Sequence, residues 1–104
     1  MAKEIVLQVL WSDSAKKSFQ KIIAYLEREW SEKEAAAFMK RVSAILSTIQ
    51  RYPEMCRTST KRKNVRIGIL DKHTQLVYYY KPGKKQIEVL LFWGMKQNPL
   101  GFKY

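Results

Sequence analysis

The residues of this chain best suited to act on another molecule are its cations, and they are unevenly placed. Residues 57–104 carry eleven Lys and Arg against two Asp and Glu, whereas residues 1–56 carry nine against seven. The positive field therefore belongs to the second half. Its densest part is Lys61-Arg62-Lys63, with Arg57 before it, Arg66 after it and no acid between those two arginines; Lys81 adds to the same field. Such a run holds phosphates by charge and positions a polyanion without selecting a sequence. It suits a nucleic acid or an acidic protein segment. Other chemistry-bearing residues are few. The one histidine, His73, falls in Asp71-Lys72-His73-Thr74, which reads as a turn, so it is a solvated turn residue rather than a general base. The one cysteine, Cys56, excludes an intramolecular disulfide. One His, one Cys and scattered carboxylates make no metal-ligand cluster, so neither metal nor other cofactor is expected.

The elements that position these cations can be read from spacing. Ile5, Leu7, Val9 and Trp11 alternate with partly polar neighbours, as in a strand with one apolar face. Ser12-Asp13-Ser14 supplies side-chain oxygens to cap a helix, in which Phe19, Ile22, Ile23, Leu26 and Trp30 recur as a core stripe. Ser31 and Glu34 have capping-box spacing, so a second helix starts where the first stops. Its stripe is Ala35, Phe38, Val42, Ile45, Leu46 and Ile49, and Pro53 ends it. Beyond Pro53 the period shortens to two. Val65, Ile67 and Ile69 form one strand, Leu76–Tyr80 a second and Ile87–Trp93 a third. Lys81-Pro82-Gly83-Lys84 reads as a type II turn with Gly83 at positive φ. The last two strands are apolar on both faces and are expected in the sheet interior. At least one of Tyr78, Tyr79 and Tyr80 must face the helices.

The expected architecture is α+β, in the order β-α-α-β-β-β: a four-stranded, mainly antiparallel sheet covered on one face by a two-helix hairpin. The other face is then left with tyrosines and cations, a surface suited to nucleic acid or an acidic helix. Over 104 residues, 46% apolar and 12% aromatic, one domain spanning 1–104 suffices. The opening Met1-Ala2-Lys3-Glu4-Ile5 lacks the layout of a secretory signal, and the longest apolar run, Val89–Trp93, is too short to cross a bilayer. A cytoplasmic protein without membrane contact is expected.

Three segments carry a family likeness. They are the hairpin ending Arg51-Tyr52-Pro53-Glu54, the strand pair Asn64–Leu70 with Gln75–Tyr79, and the closing Leu91-Phe92-Trp93-Gly94-Met95-Lys96-Gln97-Asn98-Pro99. In their order the chain resembles the RelE/ParE superfamily of type II toxin–antitoxin toxins, which includes plasmid stabilization proteins. The resemblance covers nearly the whole chain. It implies a growth-inhibiting toxin neutralised by a cognate antitoxin, and two modes of action: cleavage of mRNA on the ribosome, or non-enzymatic poisoning of DNA gyrase.

Cutting RNA through its own 2′-OH needs a proton acceptor, a cation for the charged phosphorane and a proton donor for the leaving oxygen. In RelE-like enzymes basic strand residues and a tyrosine near the chain end do this without metal. The resemblance maps Arg66 and Lys96 onto such cations, with Tyr104 the candidate for the tyrosine. Arg57, Lys61, Arg62, Lys63 and Lys81 would bind RNA. The sequence departs from the pattern at Gly68 and Gln75, where strand cations are found, and at Phe102, near the place of the tyrosine. Ribosome-associated mRNA endonuclease is the first reading. A ParE-like gyrase inhibitor is the alternative, favoured by the missing cations, and a non-toxic nucleic-acid-binding module is a third.

Overall fold

The Ser12 hydroxyl begins the organisation of the chain. It accepts from the Ala15 backbone N–H at 3.0 Å and so starts helix α1, Asp13–Glu29, by satisfying one of the amides that a first helical turn leaves unpaired. Ser31 does the same for α2, Glu32–Arg51, by accepting from Glu34 N–H at 3.1 Å. One residue, Trp30, separates Glu29 from Ser31, and the backbone N–H groups of Trp30 and Ser31 both donate to the Leu26 carbonyl. The computed structural model describes residues 6–94 and 102–104.

Five strands complete this part of the chain: β1 (Gln8–Trp11), β2 (Arg57–Thr58), β3 (Val65–Ile69), β4 (Thr74–Lys81) and β5 (Gln86–Gly94). They form one sheet in the order β1-β5-β4-β3-β2. The β1–β5 pairing is parallel and the other three are antiparallel. The expected α+β fold, hairpin and mainly antiparallel sheet are present, with β4 and β5 inside. The expected count of four strands is corrected to five. The addition, β2, has only two residues, and pairing it with β3 covers what would otherwise be an exposed ladder edge.

Alternation sorts the strand side chains onto two faces. Tyr78, Ile87, Val89 and Phe92 pack with Ala15, Phe38, Val42 and Ile49 of the hairpin. Trp11, Phe19 and Phe92 meet there with ring centroids 5.2–5.5 Å apart. The β4–β5 register slips between Val77 and Tyr78, leaving Leu90 as an extra residue in a bulge. The Leu90 carbonyl accepts from the Ser12 hydroxyl at 2.9 Å, and Phe92 N–H donates to Ser18 Oγ at 3.0 Å. Two serines of the α1 region thus tie the helix to β5.

Two local expectations are corrected. Trp30 is not part of the core stripe: α1 ends at Glu29, the Trp30 backbone turns out of the helix, and its side chain is 67% exposed. The Lys81–Lys84 segment is not a type II turn with Gly83 at positive φ. Pro82–Lys84 form a single 3-10 turn, and the left-handed residue is Lys85, at φ 52°.

At Gly68 the sheet and the segment following α2 approach closely. A Cβ built on it would lie 2.9 Å from Cys56 Sγ and 3.7 Å from Ile45 Cδ1. Gly68→Ala is expected to destabilise the fold by about 1–3 kcal/mol through overpacking. Because a smaller residue at 56 removes the obstructing sulfur, Cys56→Ala should recover part of that loss in a double-mutant cycle followed by urea unfolding.

Candidate functional site

Register decides which of the expected site residues share a face. Arg66 is paired with Tyr78 across β3 and β4, and directly paired residues point to the same side. Tyr78 is fully buried on the hairpin side, so Arg66 lies on that side as well. This corrects the expectation that Arg66 stands on the uncovered face. Its guanidinium donates to the Glu54 carbonyl at 2.8 Å and to the Cys56 carbonyl at 2.7 Å. The Tyr78 hydroxyl donates to the Pro53 carbonyl at 2.7 Å. Together they fasten residues 53–56, the segment that leads from α2 into the sheet. Burial pushes the Tyr78 phenol well above its usual range, and the Cys56 thiol beside it raises it further.

The face opposite the hairpin has a core of its own. Val65, Ile67 and Val77 are buried there, with Tyr79, Leu90, Leu91, Phe102 and Tyr104 packed against them. The surface expected to be free is therefore partly covered by residues 102–104 of the chain itself. Phe102 meets Trp93 edge-on at 5.2 Å and Tyr104 at 5.9 Å.

Residues 102–104 are held by the basic turn between β2 and β3. The Ser59 hydroxyl donates to the Tyr104 backbone oxygen at 2.5 Å and accepts from Lys61 N–H and Arg62 N–H, each at 3.1 Å. Lys61 Nζ donates to the Phe102 carbonyl at 3.2 Å. The Arg62 guanidinium sits 4.6 Å from the centroid of the Tyr104 ring, within cation–π range. Asn64, with φ 63°, turns the chain back into β3, a conformation that Asn tolerates better than most residues.

Of the expected cations, Lys61, Arg62 and Lys63 are thus exposed on one turn. Arg57 lies beside it on the edge strand, opposite Ile67. Lys81 is placed differently: its ammonium pairs with Glu88 at 3.3 Å and lies 5.5 Å from the Tyr79 ring centre, so much of its charge is answered internally. Lys96 lies outside the described residues. Tyr104 is brought to the basic turn and not to Arg66, which faces the other side of the sheet. His73 sits in the expected turn, its N–H donating to Asp71 Oδ1 at 2.7 Å, while Asp71 Oδ2 accepts from Arg41 at 3.1 Å. Sequence reasoning missed Ser59, which lies within Thr58-Ser59-Thr60, where nothing in the spacing marks it. It also missed Glu88 as the partner of Lys81.

The chain shares its fold with a chain of the chromosomal ParDE system from P. aeruginosa, with a TM-score of 0.71, 13% identity and coverage of 88% of this chain and 98% of that one. It also shares it with a chain of the RelBE2 toxin–antitoxin complex from Mycobacterium tuberculosis, with a TM-score of 0.61, 14% identity and coverage of 90% and 97%. No curated protein sequence matches it. The model of the ParE toxin family, the toxin of the type II toxin–antitoxin system parDE, matches residues 9–99. The chain belongs to this family and is a toxin of a type II toxin–antitoxin system, as the resemblance led one to expect.

The raised Tyr78 phenol has a consequence for stability. Its contribution is complete below about pH 10, the ordinary tyrosine value. As pH rises further the unfolded chain releases the phenolic proton while the native fold retains it, so stability falls by up to about 1.4 kcal/mol per pH unit. Tyr78→Phe should show a shallower alkaline decline than the parent chain in denaturant titrations across this range.

Proposed function

We propose that this toxin arrests growth by binding its target rather than by cutting mRNA, and that the target is DNA gyrase. One observation carries the choice over ribonuclease: Arg66, the strand cation assigned to catalysis, is directed at two backbone carbonyls on the hairpin side. A guanidinium committed to a structural turn beneath the sheet is badly placed to stabilise a phosphorane on the opposite face. Gly68 argues the same way. A cation introduced there would point at Cys56 and Ile45, not at a substrate. Tyr104 does not offer a free ring for stacking on a base, because Arg62 lies over it and Phe102 packs against it.

The basic turn, Arg57 with Lys61–Lys63, then meets the phosphodiester backbone of gyrase-bound DNA, where charge without base contacts is enough. A cognate antitoxin neutralises the toxin. The naming of the ParDE and RelBE2 neighbours as toxin–antitoxin assemblies supports that partner. The hairpin side offers it an apolar groove lined by Ile22, Leu26, Trp30 and Phe38, with charges of both signs, Glu34, Arg41, Asp71 and Lys72, also in its lining, which suits the apolar stripe of an amphipathic helix.

Inducing the toxin without its neighbouring gene should switch on the DNA-damage response and trap gyrase on DNA while mRNA stays intact, and co-expression of the antitoxin should abolish both effects. Cleaved mRNA on programmed ribosomes treated with purified toxin, with no DNA damage in cells, would overturn this reading in favour of the endonuclease.

A further inference from the structure

We infer that residues 102–104 are the positioning element of the basic turn, holding Lys61 and Arg62 in the geometry that grips a nucleic-acid backbone. The inference rests on the reading above that this turn meets nucleic acid, and it adds what organises the turn.

Lysine and arginine on an exposed turn ordinarily sample many rotamers, and each must be immobilised when a polyanion binds. Here much of that ordering is already done. Ser59 is the hub: a single hydroxyl joins the Tyr104 backbone oxygen to the amides of Lys61 and Arg62. Each side chain then makes one further contact with the same segment, Lys61 with the Phe102 carbonyl and Arg62 with the face of Tyr104. These contacts do not consume the binding capacity of the cations. Lysine has three N–H donors and uses one on Phe102. A guanidinium stacked on a ring keeps its donors at the edge, pointing outward. The segment is itself fixed, because Phe102 and Tyr104 complete the buried cluster around Val65, Ile67 and Val77.

The same packing selects the class of partner. An acidic helix docks by laying an apolar stripe beside its charges, but the apolar strip next to the turn is already occupied by Phe102 and Tyr104. The turn itself presents three consecutive exposed cations, Lys61, Arg62 and Lys63, and such a run matches the repeating charge of a phosphodiester chain.

The test uses the purified full chain and a fluorescein-labelled mixed-sequence DNA duplex, with binding followed by anisotropy across a salt series. Lys61→Gln combined with Arg62→Gln should weaken binding and lower the salt slope by about two, near 0.9 for each phosphate contact. Ser59→Ala and, separately, Tyr104→Leu should weaken binding roughly three- to tenfold with both cations still present, on the scale of one lost charge-assisted or cation–π contact. Tyr104→Phe, which keeps the ring, should bind as the parent does. Thermal unfolding shows which variants remain folded, and Ser59→Ala leaves both packed rings untouched should Tyr104→Leu fail to fold.

If Ser59→Ala and Tyr104→Leu bind like the parent while the double cation variant does not, the positioning role is wrong and the nucleic-acid reading survives. Tighter binding by either would mean that the segment competes with DNA, which also overturns the inference. Absence of DNA binding, or no effect of the double cation variant, removes the nucleic-acid reading and the inference together. Preference for poly-glutamate over the duplex would make the partner an acidic polypeptide, again against the inference.

Discussion

Pairing of Arg66 with Tyr78 in the β3–β4 register determines which side of the sheet each functional group occupies. Side chains alternate along a strand, so a slip of one residue would exchange the two faces. In the register observed, Arg66 and Tyr78 turn toward the hairpin and secure residues 53–56, and Val65, Ile67 and Val77 turn away from it. The cation that the resemblance singles out for chemistry is thereby spent on holding the chain between α2 and the sheet. Three consecutive cations, Lys61–Lys63, remain exposed on the turn before β3.

A sheet covered on one side would leave an apolar strip in water on the other. This chain covers that strip with its own Phe102 and Tyr104 and fastens them with polar and cationic groups of the basic turn. The small second core and the cationic surface are consequently one assembly. Packing orders the aromatic residues, and these in turn restrain the cations. The internal pairing of Lys81 with Glu88 answers one cation of β4, whereas Lys61–Lys63 stay exposed on the turn before β3.

Much of the fold was legible in the sequence because it is encoded locally. The Ser12 and Ser31 caps, the apolar stripes of the helices and the interior character of β4 and β5 follow from spacings of a few residues. The two-residue strand β2 has no period to read. Trp30 continues the helical spacing, but the backbone leaves the helix one residue too early for it to join the core. The candidate site was only partly legible. The cluster at Lys61–Lys63 is plain from composition, yet the side on which Arg66 lies depends on a partner twelve residues away across the β3–β4 ladder. The Ser59 clasp joins positions 45 residues apart through a hydroxyl that no motif marks.

The parallel pairing of β1 with β5 joins residues separated by 78 positions, as do the strands' anchoring contacts around Ser12 and Leu90. Closing so long a loop is slow beside the local contacts of a helical hairpin. On a ribosome the hairpin is therefore available early, with its apolar stripes facing water, and it acquires its cover only after β5 has emerged. Through that interval the nascent chain is vulnerable to aggregation and open to any helper that recognises exposed helical stripes.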